Sequence, residues 1–313
     1  MENWQTLGYR YFPLGLAMRQ TFGCNVWKVS VDAGFSCPNV DGTAGTGGCI
    51  FCNNAGFAPS RRFVQRYSVT EQLDEGIKRV KRHYQNRAEK FIAYFQPSTN
   101  TYGEPAKLNA LYREALSHPD VIGLAVGTRP DALPEPVLDV LEQIAAENYL
   151  QLEIGLQSIH QKSLDFLQRR HSYQDFLDAY ERTKRRGIRT GIHLILGIMG
   201  EDRDDLFATA GEVARLKPDC VKIHHLYVVR DTQLAELWTA GKITLPTLPE
   251  YAALAADFLE RLPADIVIER LSGEADAAYL LAPSWTAIKH AARNAVDQEF
   301  RRRNTRQGIF AGA

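Results

Sequence analysis

Between Asn25 and Leu226 the chain alternates short apolar runs with longer amphipathic ones. Val26, Lys28, Val29 and Val31 alternate within Asn25–Val31 and predict a first strand. Further strands are predicted at Phe91–Phe95, Val121–Val126, Leu150–Ile154, Ile188–Leu196 and Cys220–Leu226. The intervening segments predict helices over Val69–Ala88, Glu104–Ser117, Glu135–Glu147, Ser172–Arg186 and Arg203–Leu216. Apolar runs of roughly five to eight residues separated by helices of roughly ten to twenty make right-handed βαβ units around a parallel sheet. Six such units predict an α/β fold, a partial (β/α)6 barrel, with chemistry gathered at the carboxyl ends of the strands.

The flanks follow another pattern. Residues 1–24 are aromatic and irregular, and a short helix across the bottom of the barrel is expected there. Beyond Val229 the sequence predicts a short helix at Leu234–Ala240, a helix at Pro249–Leu262, a strand at Ile266–Ile268 and a last helix at Trp285–Arg303. This C-terminal α/β extension is expected to cap the open side of the barrel. No low-complexity linker sets it apart, so residues 1–230 and 231–313 are read as barrel and extension of one continuous domain.

Composition narrows the function classes. A chain of 313 residues encloses a substantial core. Its 37 basic and 37 acidic residues give no overall field toward nucleic acid or membrane. Five cysteines are too few for a secreted disulfide scaffold, the opening MENWQTLGYRYF lacks the regions of a signal peptide, and no run of about eighteen apolar residues occurs. A cytoplasmic protein is expected. Cys24 reads as a buried thiol acting as a small hydrophobe.

Cys37, Cys49 and Cys52, spaced C-x11-C-x2-C, carry the strongest chemical signal. They lie in a loop rich in glycine, which lets the backbone fold tightly enough to aim three thiolates at one point. Such a trio implies a metal. A closed zinc knot would need a fourth ligand, yet Asn53, Asn54, Ala55, Gly56 and Phe57 follow, and the next histidine is His83. A [4Fe–4S] cluster held by three cysteines instead keeps one iron free for another ligand. A non-catalytic zinc-binding interaction protein is the competing reading, and a redox dithiol at Cys49 and Cys52 a weaker one.

The trio, with Phe51 before the last cysteine, resembles the widely spaced motif of radical S-adenosylmethionine (SAM) enzymes in the variant found in the catalytic subunit of Elongator. The chain resembles most the bacterial YhcC-like radical SAM proteins. The resemblance implies a six-unit partial barrel, a cluster on Cys37, Cys49 and Cys52, and SAM bound to the free iron and cleaved reductively to a 5′-deoxyadenosyl radical. It also implies a one-electron donor such as flavodoxin or ferredoxin. The substrate is left open.

Several strand ends carry the resemblance further. In YFQPSTNTYG, Gln96, Ser98, Thr99, Asn100 and Thr101 share one turn, and small hydroxyls and amides suit the polar end of a methionine-like ligand. Gln96 and Ser98 stand where many family members have a Gly-Gly-Glu-like motif. Thr128–Asp131, TRPD, matches the Elongator-like pattern, with Gly127 where Glu is usual; Arg129 is read as pairing either a ligand carboxylate or Asp131. Glu153, Gly155, Gln157 and Ser158 match closely, with Glu153 expected to face the lumen and Gln157 to meet SAM. Arg169, within Leu167–His171, matches the arginine expected to hold the SAM carboxylate, although Arg170 replaces a usual Gly. His193 matches a position that faces SAM, and Gly197–Gly200 departs from the common Gly-Leu-Pro-Gly. Lys222, His224, His225, Tyr227 and Arg230 lie on the stretch that flanks the substrate side, with one histidine inward and one outward. The basic runs at 78–85, 182–189 and 300–306 make tRNA a candidate substrate, or are solvated helix faces.

Overall fold

In the computed structural model, which describes residues 3–53, 67–84 and 87–312, the predicted alternation becomes one curled parallel sheet with helices on its outer face. The strands are β1 (Val26–Val31), β2 (Lys90–Phe95), β3 (Val121–Thr128), β4 (Tyr149–Gln157), β5 (Arg189–Leu196) and β6 (Cys220–His225). The helices are α1 (Leu14–Phe22), α2 (Val69–His83), α3 (Pro105–Leu116), α4 (Glu135–Glu147), α5 (Gln161–Phe166), α6 (Tyr173–Arg185) and α7 (Arg203–Leu216). Ser68, Ser172 and Asp202 close capping boxes at the starts of α2, α6 and α7, so three of these helices begin where their side chains satisfy the first free N–H groups.

The extension differs from its prediction in an informative way. After a short β7 (Val228–Val229), α8 (Gln233–Thr239) and α9 (Leu248–Leu259), residues Val267–Arg270 form β8, which pairs parallel with β6 and adds a seventh strand to the barrel sheet. Four residues, Val-Ile-Glu-Arg, do not announce their partner, which only packing against β6 supplies. β9 (Leu280–Ala282) pairs antiparallel with β7. The last helix, α10, spans Ala291–Arg303 rather than starting at Trp285, because Ser284–Ala287 forms a 3-10 turn and His290 adopts a left-handed φ of 63°. Likewise α2 ends at His83, with Arg87 and Ala88 outside it; residues 85 and 86 of the predicted helix lie outside the described residues.

The main core fills the space between the sheet's outer face and the helices, from Val29 and Phe91 through Leu124, Ile154 and Ile192 to Ile268. α1 crosses the lower end, where Met18 packs on Ile92, Tyr94 and Ala125, and Ala17 on Cys220 and Val267. Cys24, expected to be buried, is half-buried just past that helix. No helix among the described residues is long and apolar enough to cross a membrane.

Gly123 shows how closely the strands approach. A Cβ there would lie 2.5 Å from the Tyr149 carbonyl oxygen on β4, a backbone atom that cannot swing aside. Gly123→Ala is therefore expected to destabilise the protein by about 1–3 kcal/mol, as overpacked sites do, visible as a lower urea midpoint.

Candidate functional site

The inner face of the sheet is polar where the outer face is oily, because successive residues of a strand point to opposite faces. Lys28, Tyr94, Glu153, His193, Lys222 and Glu269 meet inside the barrel. Glu153 is fully buried and accepts from Lys28 Nζ (2.5 Å), Tyr94 Oη (2.7 Å), His193 Nε2 (2.7 Å) and Lys222 Nζ (3.1 Å). Glu269 takes Lys28 at 2.8 Å and Lys222 at 3.4 Å, and Gln151 donates to both carboxylates. Two lysines thus face two glutamates, so the buried charge balances.

The protonation states follow from this arrangement. Burial alone would raise the Glu153 carboxyl, but Lys222, Lys28 and the His193 N–H outweigh it and hold the group well below the usual carboxylate range. Burial, with Lys222 beside it, pushes His193 down, so at neutral pH its contact with Glu153 is a hydrogen bond from a neutral ring rather than an ion pair. Burial and then Glu153 raise Tyr94 well above the ordinary phenol, so its O–H donates to Glu153 while its oxygen accepts from Lys222 at 2.6 Å.

Above this floor, at the carboxyl ends of the strands, opens a cavity of about 470 Å³. Cys37, Cys49 and Cys52 line one side, with Phe51 beside them. Their loop turns through Gly47 and Gly48, at φ 83° and 79°, a sequence of left-handed residues that side chains resist. Val40 and Asp41 donate their N–H groups to the Cys37 carbonyl, and the Cys52 N–H donates to the Cys49 carbonyl. Cys49 is buried, with Arg169 Nη1 3.2 Å and Asn39 Nδ2 3.4 Å from its sulfur. The sequence leads one to expect three sulfurs aimed at one point. Among the described residues, however, no three of His, Cys, Asp and Glu are gathered to hold a single metal ion. The thiols share the cavity wall, with Cys49 held beside Asn39 and Arg169. Residues 54–57, where the sequence offers no fourth ligand, lie outside the described residues.

The other predicted residues distribute unevenly. Gln96, Ser98, Arg129, Gln157, Arg169 and His193 all line the cavity. Ser98 and Gln157 do so at φ 69° and 73°, conformations that non-glycine residues seldom hold, and Gln157 follows a bulge in β4 against β5. Gln96 donates to Ser30 Oγ at 2.7 Å. Glu153 faces the lumen but does not line the cavity: its oxygens are taken by the four donors beneath it. Thr99 borders the cavity, whereas Asn100 and Thr101 turn away, Asn100 to the carbonyls of Pro97 and Gly127 and Thr101 to Thr128 and Ala132.

Of the two readings of Arg129, the structure has the pair with Asp131, at 2.9 and 2.8 Å, plus a bond to the Arg169 carbonyl; its buried Nη1 has no partner. Arg169 spends its three nitrogens on His171, Cys49 and the Gly155 carbonyl, and so is turned to the cysteine side. Both paired histidines border the cavity: His224 stacks near His193, and His225 bonds Thr286 Oγ1 at 2.7 Å against Trp285. Arg230 is exposed and does not line the cavity. Sequence reasoning missed Asn39 and Arg270. A lone Asn in a turn and an Arg at a strand end give no signal of their own.

Comparison with known proteins bears on this arrangement. A family model described as the Radical SAM superfamily matches residues 41–213, and one described as the Radical_SAM C-terminal domain matches residues 218–302. The chain is 34% identical over 307 residues to the uncharacterized protein YtqA of Bacillus subtilis, covering 96% of this chain and 92% of that one. It is 36% identical over 269 residues to protein YhcC of Escherichia coli K12, covering 86% and 85%. Among solved structures it is similar to the archaeal Elp3 of Methanocaldococcus infernus with an N-terminal deletion: TM-score 0.68, 17% identity, covering 91% of this chain and 64% of that one. At that identity the likeness concerns the fold.

Proposed function

This chain belongs to the radical SAM superfamily, and from that premise we propose that Cys37, Cys49 and Cys52 hold a [4Fe–4S] cluster with one iron left for SAM. The protein is a radical SAM enzyme, and the cofactors of its family are a [4Fe–4S] cluster and SAM. Together they supply one-electron cleavage of a sulfonium and a 5′-deoxyadenosyl radical that takes hydrogen from a substrate. One observation carries the assignment: the three cysteines and six predicted strand-end residues border one cavity at the carboxyl ends of a parallel sheet.

The residues present fit such a group. Thiols are the ligands such clusters take, and N–H groups directed at their sulfurs tune them; Arg169 and Asn39 are so directed at Cys49. The buried, unpaired Nη1 of Arg129 lies on the same wall and suits an anionic centre. Gln96, Ser98 and Gln157 offer hydrogen bonds to the polar end of SAM, while Phe51 and Ile195 give apolar surface for the rest. The protein's part is to hold SAM, aim the substrate and keep water out. The competing zinc reading requires four ligands about 2.0–2.3 Å from one ion, an arrangement not assembled among the described residues.

A tRNA substrate draws less support. In the basic runs Arg182, Arg186 and Arg303 are tied to acidic residues of neighbouring helices, among them Glu135, Asp139 and Asp257. Cations so paired build helix packing rather than a phosphate track. An electron donor such as flavodoxin or ferredoxin completes the proposed cycle.

Anaerobic reconstitution tests the proposal. Brown protein with iron and sulfide, forming 5′-deoxyadenosine from SAM on reduction, is expected; colourless protein that takes up zinc and forms none overturns it.

A further inference from the structure

Resting on the reading just given, we propose that Arg270 and His224 form an anion-binding subsite in this cavity, so that the substrate is a small molecule bearing a carboxylate or phosphate group. The case starts from strand register. In β6 and β8 Val221 pairs with Ile268, but Lys222 pairs with Arg270, so a bulge skips Glu269. A bulge re-aims side chains. Here it sends two consecutive residues toward the lumen: Glu269 goes down to Lys28 and Lys222, and Arg270 lines the cavity above.

Arg270 and the neighbouring His224 of β6 are poorly used by the protein itself. Among the described residues the one ion pair of Arg270 is with Glu274, at 3.8 Å, and Glu274 is 76% exposed. That contact is too long for a hydrogen bond, and pairs with so exposed a partner contribute little. Neither ring nitrogen of His224 has a hydrogen-bond partner among the described residues, and its Nε2 is buried. Burial, helped by Arg270 and Lys222, keeps this ring neutral, able to donate one hydrogen bond without adding charge. Buried polar groups without partners ask for a ligand. Of the other cations on this wall, Arg169 is engaged by Cys49 and Gly155 and Lys222 by Glu153 and Tyr94, while Arg129 is held by Asp131 and has its one open nitrogen, Nη1, buried on the wall it shares with the cysteines.

A half-exposed guanidinium at the cavity mouth, with a neutral imidazole whose buried Nε2 is unpaired beside it, matches one carboxylate or one phosphate. It does not match a polyanion, which needs a row of cations, and in the basic runs elsewhere Arg182, Arg186 and Arg303 are spent on ion pairs. The subsite would grip the anionic group and present a neighbouring C–H of the substrate to the cavity.

The test uses full-length, cluster-loaded protein. Inorganic phosphate and acetate are titrated separately at ionic strength held constant with chloride, following the His224 ring resonances and the thermal midpoint. At least one probe is expected to saturate, shifting His224 and raising the midpoint; Arg270→Gln should weaken it tenfold or more, and Arg270→Lys should restore part of the binding. Two results overturn the subsite: neither probe differing from chloride in protein with full iron and sulfide, or Arg270→Gln binding like the unaltered protein. Arg270-dependent binding of tRNA overturns the small-molecule assignment. Protein that takes up no iron and sulfide instead overturns the radical SAM reading, whatever the anions do.

Discussion

Alanine at Cys37, Cys49 or Cys52, one position at a time, is expected to strip iron and sulfide from the protein and to lower 5′-deoxyadenosine formation by more than about a hundredfold, since loss of even an outer partner of a metal site costs roughly 10–100-fold. The three positions should differ in what else they disturb. Cys49 is buried and accepts from Arg169 and Asn39, so its loss leaves two buried donors unmatched. Cys37 and Cys52 are half-buried, and their loss should leave the fold as stable as before. Cys24→Ala serves as control: that thiol lies below the barrel, beyond α1, and should keep its iron. The readouts are iron and sulfide content, the absorbance of the loaded protein and product formation under anaerobic reduction. A Cys37→Ala protein that keeps iron and activity would sink the cluster assignment.

How much of this was legible beforehand depends on whether a signal is local. The βα alternation is local, since each strand's apolar run and each helix's period lie in consecutive residues, and the sheet order of β1 to β6 follows from right-handed crossovers. The cysteine loop is local too. β8 was not legible as part of the barrel, because Val267–Arg270 gains its place from β6, about fifty residues earlier in the chain. His290 reads as an ordinary helix residue, and only its left-handed backbone shows why α10 starts after it. The site divides in the same way. Gln96, Gln157 and His193 were placed at the cavity by the family resemblance, to which the βα alternation supplied the strands. The partners of Arg129 and Arg169 could not be placed, since a guanidinium reaches far enough to choose among several acceptors. The basic runs were open for the same reason: part of their acidic partners sit on other helices, where the sequence does not show them.

Glu153→Gln is expected to destabilise the protein by about 3–5 kcal/mol, the usual result of breaking a buried ion pair by removing one partner. The amide keeps the shape but leaves Lys28 and Lys222 facing Glu269 alone, and it cannot accept from four donors at once. Glu153 is fully buried, so solvent does not screen the loss. The sign of the pH dependence follows from its depressed pKa. A carboxyl held below its ordinary value stabilises the fold fully above the unfolded pKa of about 4.3, and that contribution is lost as pH falls through the folded pKa. The gap between the unaltered and Gln proteins should thus be widest near neutrality and narrow below about pH 4. Urea midpoints at an unchanged slope measure it. A gap under about 1 kcal/mol at pH 7, or one that ignores pH, would mean that the lysines re-pair with Glu269 without strain. The effect should also reach the cavity, because Tyr94, His193 and Lys222 line it while also bonding Glu153. The charged floor and the cavity share those three side chains, so loosening one loosens the other.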